Sequence, residues 1–138
     1  MKISARVENS KDNHQVILQT NENVHSITMP AKSTGYGSRA NGGKLLFLAL
    51  ATCYCNDIYR EAAQRNINVE RVEVNVEGDF GAEGAPSKNV TYQAKVFARA
   101  SEEDIRELMK FTDRVAEIQN TLRTETSVIL TNIEAVRL

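Results

Sequence analysis

The first residues alternate: Ile3, Ala5 and Val7 stand against Lys2, Ser4 and Arg6. A period of two marks a half-buried strand. Residues 14–20 and 25–29 read the same way, separated by the polar turns NSKDN and NEN, so the chain opens with a small antiparallel meander. From 30 to 43 the sequence is PAKSTGYGSRANGG, a glycine- and serine-rich connection with no hydrophobic period. Loops of that length are usually functional or mobile.

The stretch 41–67, NGGKLLFLALATCYCNDIYREAAQRNI, is different. After Gly42 and Gly43, residues 45–55 are apolar or small except Thr52, and then a narrow stripe of Ile58, Tyr59, Ala62 and Ala63 runs through polar surroundings. A helix apolar all round belongs in an interior, and one with a single stripe belongs at a surface. This helix is predicted to be the first at its start and the second at its end. About 24 residues at ~1.5 Å each make a rod of roughly 36 Å, as long as a small domain is wide. One small sheet cannot cover its apolar start, so a second subunit in a symmetric dimer is expected to bury part of it.

Beyond the helix, residues 69–80 alternate, with Val72, Val74 and Val76 on one side and Glu73, Asn75 and Glu77 on the other. GAEGAPSK is a loop, and Val90, Tyr92, Ala94, Val96 and Ala98 give the apolar face of a second long strand. The two make a hairpin with a long tip. SEEDIRELMKF, from Ser101, has an acidic residue three positions after a serine and carboxylates in the first turn, so a helix is predicted over 101–122. Residues 127–138 read as a last β-branched strand. The order is βββ–α–ββ–α–β, an α+β fold rather than a doubly wound sheet. At 138 residues it is expected to form one domain over 1–138.

Composition adds exclusions. A net charge of −1 makes no field that favours nucleic acid or an anionic membrane. The apolar run 45–51 is far shorter than the ~20 residues of a membrane span. MKISARVENSKDNH has no apolar h-region, so no export signal is read. Cys53 and Cys55 point ~200° apart on a helix and make a poor disulfide pair. A cytoplasmic location in a reducing compartment is the simplest expectation.

His14 and His25 are isolated in strands, without Cys-x2-Cys or His-x3-His spacing, so no metal and no cofactor are expected. GYGS at 35–38 lacks the context of a phosphate loop. Glu102, Glu103 and Asp104 are helix-start charges. Tyr36, Tyr54, Tyr59 and Phe47 are either core and interface packing or the lining of an apolar pocket where the loop before the helix meets a partner's helix. Cys53 is either a small apolar core residue or a reactive thiol.

The element order and NGGKLLFLALATC, from Asn41 to Cys53, together resemble the OsmC/Ohr family. That pattern is a Gly/Pro-rich loop followed by a Leu/Ala-rich helix whose apolar run ends at a cysteine, and the resemblance covers nearly the whole chain. It implies an intimate homodimer with two sites at its interface. It also implies reduction of organic hydroperoxides or hydrogen peroxide by a peroxidatic cysteine, which a second cysteine then resolves and an arginine and a glutamate support. Cys53 falls at the peroxidatic position. The position of the second cysteine falls on Ala116, and Gly42-Gly43-Lys44 replaces the usual Pro-x-Glu, so the supporting glutamate is missing. For the arginine, Arg39 is the leading candidate and Arg6 the other.

A thiol attacks peroxide as thiolate, and Cys53 lies about ten residues into its helix, beyond reach of the helix dipole. A cation from elsewhere must lower its pKa, and Arg39 is assigned that role. Cys55 is core or a substitute resolving thiol; within one chain the helix would have to unwind for it to reach Cys53. Two functions stay open. One is a thiol peroxidase using Cys53, Arg39 and an external thiol reductant, with Tyr36, Phe47 and Tyr54 binding the substrate. The other is a degenerate dimer that binds a small apolar ligand at its interface.

Overall fold

In the computed structural model, which describes residues 1–137, the elements run β1 (Ile3–Ser10), β2 (Asn13–Thr20), β3 (Asn23–Ile27), α1 (Gly42–Gln64), β4 (Asn68–Asp79), β5 (Lys88–Arg99), α2 (Glu102–Val115) and α3 (Glu117–Arg123). This is the expected α+β class. The described chain divides into two units, Met1–Leu46 and the residues from Phe47 onward.

In the first unit, β1, β2 and β3 form an antiparallel meander in that order. Its register sets Val7 opposite Val16 and Val16 opposite Ile27. Both hairpin turns use a left-handed residue, Asp12 (φ 60°) and Asn21 (φ 51°), types whose short polar side chains tolerate that region. The loop that follows is tied to this meander: Gly37 N–H donates to Asn9 Oδ1 at 3.0 Å and Asp12 N–H to Gly35 O at 3.3 Å.

Helix α1 has a defined start and stop. Asn41 caps it, its Oδ1 accepting from Lys44 N–H at 2.9 Å. At the other end Asn66 is left-handed (φ 55°); Ile67 N–H reaches Ala62 O at 3.0 Å and Asn66 N–H reaches Ala63 O at 3.3 Å. That pair of bonds is a Schellman closure, with asparagine where glycine is commoner. Inside the second unit α1 buries Leu50, Tyr54, Asp57, Ile58, Glu61 and Ala62. The expected stripe is therefore half right. Ile58 and Ala62 are inside, whereas Tyr59 and Ala63 face outward. The helix turns about 100° per residue, so a face centred on Tyr54 and Ile58 continues through Glu61 and Ala62.

The core consists of Tyr54, Ile58, Ala62 and Leu108, packed against Val69, Val72 and Val74 of β4, Tyr92, Ala94 and Val96 of β5, and Met109 of α2. The β4–β5 hairpin thus presents the valine face read from its alternation. Gly78 lies where Phe47 and Val90 press closest: a Cβ there would stand 2.9 Å from Phe47 Cζ.

Helix α2 starts as expected, with Ser101 Oγ accepting from Asp104 N–H at 3.1 Å. It does not run to residue 122. Ala116 is extended (φ −67°, ψ 110°) and fully buried, which separates α2 from α3. The carbonyls orphaned by this break find partners from α3: Asn120 Nδ2 donates to Arg114 O and Arg123 Nη1 to Asp113 O.

The last strand is a further correction. Residues 126–137 form no strand, and Leu138 of that expected strand lies outside the described residues. Val128, Ile129, Leu130, Ile133 and Val136 are 74–96% exposed. Their β-branched character favours a strand, but a strand needs a neighbour for its backbone groups, and within the described chain this segment has none.

Candidate functional site

Cys53, Asp57 and Arg60 are spaced i, i+4 and i+7 on α1, which places their side chains in one row. Cys53 Sγ lies 3.5 Å from Asp57 Oδ2, a thiol–carboxylate hydrogen bond with sulfur as donor. The other oxygen, Asp57 Oδ1, takes Arg60 Nη1 at 2.8 Å. Arg60 also reaches Glu61 through Nε at 2.9 Å and Glu117, the first residue of α3, through Nη1 at 3.3 Å. The break at Ala116 sets the start of α3, with its Glu117 carboxylate and Ile118 N–H, beside the thiol.

One guanidinium therefore serves three carboxylates, two of them buried: Asp57 is 5% and Glu61 7% exposed. The field at the sulfur is negative. Burial pushes the Cys53 thiol above its ordinary value; the Ile118 N–H pulls it back, and Asp57 and Glu117 push it up further. The Asp57 carboxyl is also raised, by burial first, against the opposing effects of the Cys53 hydrogen bond and the Arg60 charge. The Cys53 sulfur and one oxygen each from Asp57 and Glu117 lie within 4.8 Å of one another, and the positive charge they gather around is that of Arg60.

The other expected site residues are placed as follows. Arg39 is exposed in the first unit, its N–H donating to Pro30 O at 2.9 Å. Tyr36 is exposed in the same loop. Phe47 packs on Phe80, ring centroids 5.7 Å apart. Tyr54 belongs to the core: its hydroxyl donates to Met109 O at 2.8 Å and its ring meets Tyr92 edge-on at 5.0 Å. Cys55 lines a shallow depression of about 240 Å³ with Ala51, Thr52, Asn56 and Val74. Both cysteines are free thiols.

The sequence reading missed Asp57, Arg60 and Glu117. The first two left a signal, a C-x3-D-x2-R spacing that puts a thiol, an acid and a base on one helical face. Glu117 left none, because its approach depends on the break at Ala116.

The sequence model of the family described as OsmC-like protein matches residues 35–131. The chain belongs to that family. Among solved structures, it is similar to an OsmC-like protein from Mycoplasma pneumoniae (18% identity, TM-score 0.60, 90% of this chain and 87% of that one). It is also similar to an organic hydroperoxide resistance protein OsmC from Legionella pneumophila (20%, TM-score 0.52, 89% and 90%) and to the organic hydroperoxide resistance protein OhrB of Bacillus subtilis (18%, TM-score 0.51, 90% and 90%). At these identities the likeness shows the fold. No curated protein sequence matches the chain. No helix among the described residues is long and apolar enough to cross a membrane.

Proposed function

We propose that this chain is a thiol-dependent hydroperoxide reductase with Cys53 as the reacting thiol. The observation that carries the reading is the Cys53–Asp57–Arg60–Glu117 cluster: a thiol at the family's peroxidatic position, in contact with a base and beside an arginine–glutamate pair. The supporting glutamate that the family resemblance implies is missing from the helix start, where Gly42-Gly43-Lys44 stands. Arg60 and Glu117 bring an arginine and a glutamate to the cluster from other positions, with Arg60 bound to Asp57 rather than to the sulfur. The Legionella and Bacillus structures, named for hydroperoxide resistance, share the fold and favour the same chemistry.

In the reaction Cys53 attacks the distal peroxide oxygen. The S–O bond forms, the O–O bond breaks, and the products are the Cys53 sulfenic acid and an alcohol. Ala116 stands where the family places its second cysteine, so two external thiols return the sulfenic acid to the thiol, releasing water and a disulfide.

The working unit in this proposal is a homodimer. Leu48 on α1 is 59% exposed and the 128–136 segment leaves five aliphatic side chains in solvent, surface that a second copy would cover. A second copy is the partner that the apolar α1 calls for.

The raised Cys53 thiol favours a second reading, the binding dimer with a small apolar ligand and an inert cysteine. Turnover separates the two. With tert-butyl hydroperoxide and a small dithiol reductant, wild type consumes peroxide and Cys53→Ser does not. Equal, negligible consumption by both supports the binding dimer.

A further inference from the structure

Resting on the redox reading of Cys53, we propose that Asp57 is a catalytic residue, carrying the thiol's proton to the leaving oxygen of the peroxide. Three observations point to it. Asp57 Oδ2 is the acceptor that touches Cys53 Sγ, at 3.5 Å. The other oxygen is held by Arg60 at 2.8 Å, which fixes the carboxylate plane and leaves Oδ2 for the thiol. Asp57 is 5% exposed, so water does not compete for that oxygen as it would at the surface. Arg60 is the positioning residue in this arrangement.

The step balances within the site. The Cys53 S–H proton passes to Asp57 Oδ2 as sulfur attacks the distal oxygen of ROOH. Two electrons leave sulfur, the S–O bond forms and the O–O bond breaks. The departing RO⁻ takes the proton from Asp57, giving ROH, Cys53–SOH and the original carboxylate. A buried carboxylate whose pKa is raised is a stronger base in one half of this exchange and still an acid toward an alkoxide in the other.

The groups facing Cys53 and Asp57 are Arg60 and Glu61 on α1 and Glu117 and the Ile118 N–H on α3. Glu61 and Glu117 bind Arg60, and the Ile118 N–H offsets part of the rise in the thiol pKa. Asp57 binds Arg60 as well, but of these three carboxylates it is the one that accepts a hydrogen bond from the Cys53 thiol, which places it to take the proton.

The test exploits a conflict between charge and proton transfer. Asp57 raises the thiol pKa, so Asp57→Asn increases the thiolate fraction, and alkylation of Cys53 by iodoacetamide near neutral pH becomes faster. Iodoacetamide needs only thiolate. Oxidation by tert-butyl hydroperoxide also needs the returned proton, and in Asp57→Asn its rate falls about a hundredfold. Opposite changes in the two rates are the expected result. If both rates rise together, or the peroxide rate is unchanged, Asp57 only tunes charge and the proposal is overturned while the redox reading stands. If wild type itself does not oxidise, both fall. Asp57→Glu keeps the proton carrier and is expected to recover part of the peroxide rate; no recovery in a folded Asp57→Glu counts against the role. Should Asp57→Asn not fold, a solvent deuterium isotope effect on wild type oxidation decides. An effect clearly above one supports proton transfer in the step, and none overturns it.

Discussion

The thiol of Cys53 donates to the carboxylate of Asp57 one helical turn further along α1, Sγ to Oδ2, at 3.5 Å. That contact gives the thiol a polar partner within an otherwise apolar stretch of helix. It also means that the nearest charge to the sulfur is negative, which works against a free thiolate. The proposed role of Asp57 accordingly gives the thiol its reactivity through proton transfer rather than through a lowered pKa.

Arg60 is the counter-charge for buried Asp57 and Glu61, although its own side chain is 43% exposed. Arg60→Ala leaves two buried carboxylates unpaired. After discounting for solvent screening of the half-exposed guanidinium, the loss is about 2 kcal/mol in urea unfolding. Arg60→Lys keeps the charge but not the fork and is expected to fall between the two.

Ile58 is fully buried at the centre of the α1–hairpin–α2 core. Ile58→Ala removes its contacts and leaves a cavity, at a cost of about 3 kcal/mol read from the denaturant midpoint. A loss under about 1 kcal/mol would show that the described core is not the one that holds the chain together.

Gly78 meets Phe47 Cζ and the Val90 backbone too closely for a side chain, at 2.9 and 3.2 Å from a built Cβ. Gly78→Ala forces Phe47 off its seat on Phe80 and is expected to cost about 1–3 kcal/mol. A combined Gly78→Ala, Phe47→Leu variant, with room at the ring position, is expected to recover part of that loss in thermal unfolding.

The Tyr54 phenol is pushed up to about 12, by burial first and by the Asp113 charge second, from an ordinary 10. Tyr92, buried and hydrogen-bonded to Asp113, shifts the same way. Above pH 10 the unfolded chain has lost these protons and the folded chain keeps them, so stability declines as pH rises. The Tyr54 contribution is complete below pH 10 and disappears toward pH 12, on the order of 2 kcal/mol. Unfolding midpoints between pH 9 and 11.5 should fall more steeply for wild type than for Tyr54→Phe.

Much of the fold was legible in the chain because it rests on local chemistry. The alternation of Val72, Val74 and Val76, the Ser101 cap and the glycines before Leu45 each mark an element by themselves. What escaped depends on tertiary placement. Ala116 has high helix propensity, yet it is buried and extended while Asn120 and Arg123 satisfy the broken helix end. Segment 127–137 has strand composition, but among the described residues no strand lies beside it. At the candidate site, Cys53 was singled out from its place at the end of the apolar run, whereas Asp57 and Arg60 were missed although their spacing on its face was a signal. Glu117 left no signal, because 64 positions separate it from Cys53.

Everything proposed for the site depends on Cys53 being a reacting thiol. Intact mass of the reduced protein after brief exposure to tert-butyl hydroperoxide tests it most directly, with Cys53→Ser and Cys55→Ser in parallel. One added oxygen is expected in wild type and in Cys55→Ser, and none in Cys53→Ser. Unmodified wild type over the same interval, or oxygen added equally to Cys53→Ser, contradicts it.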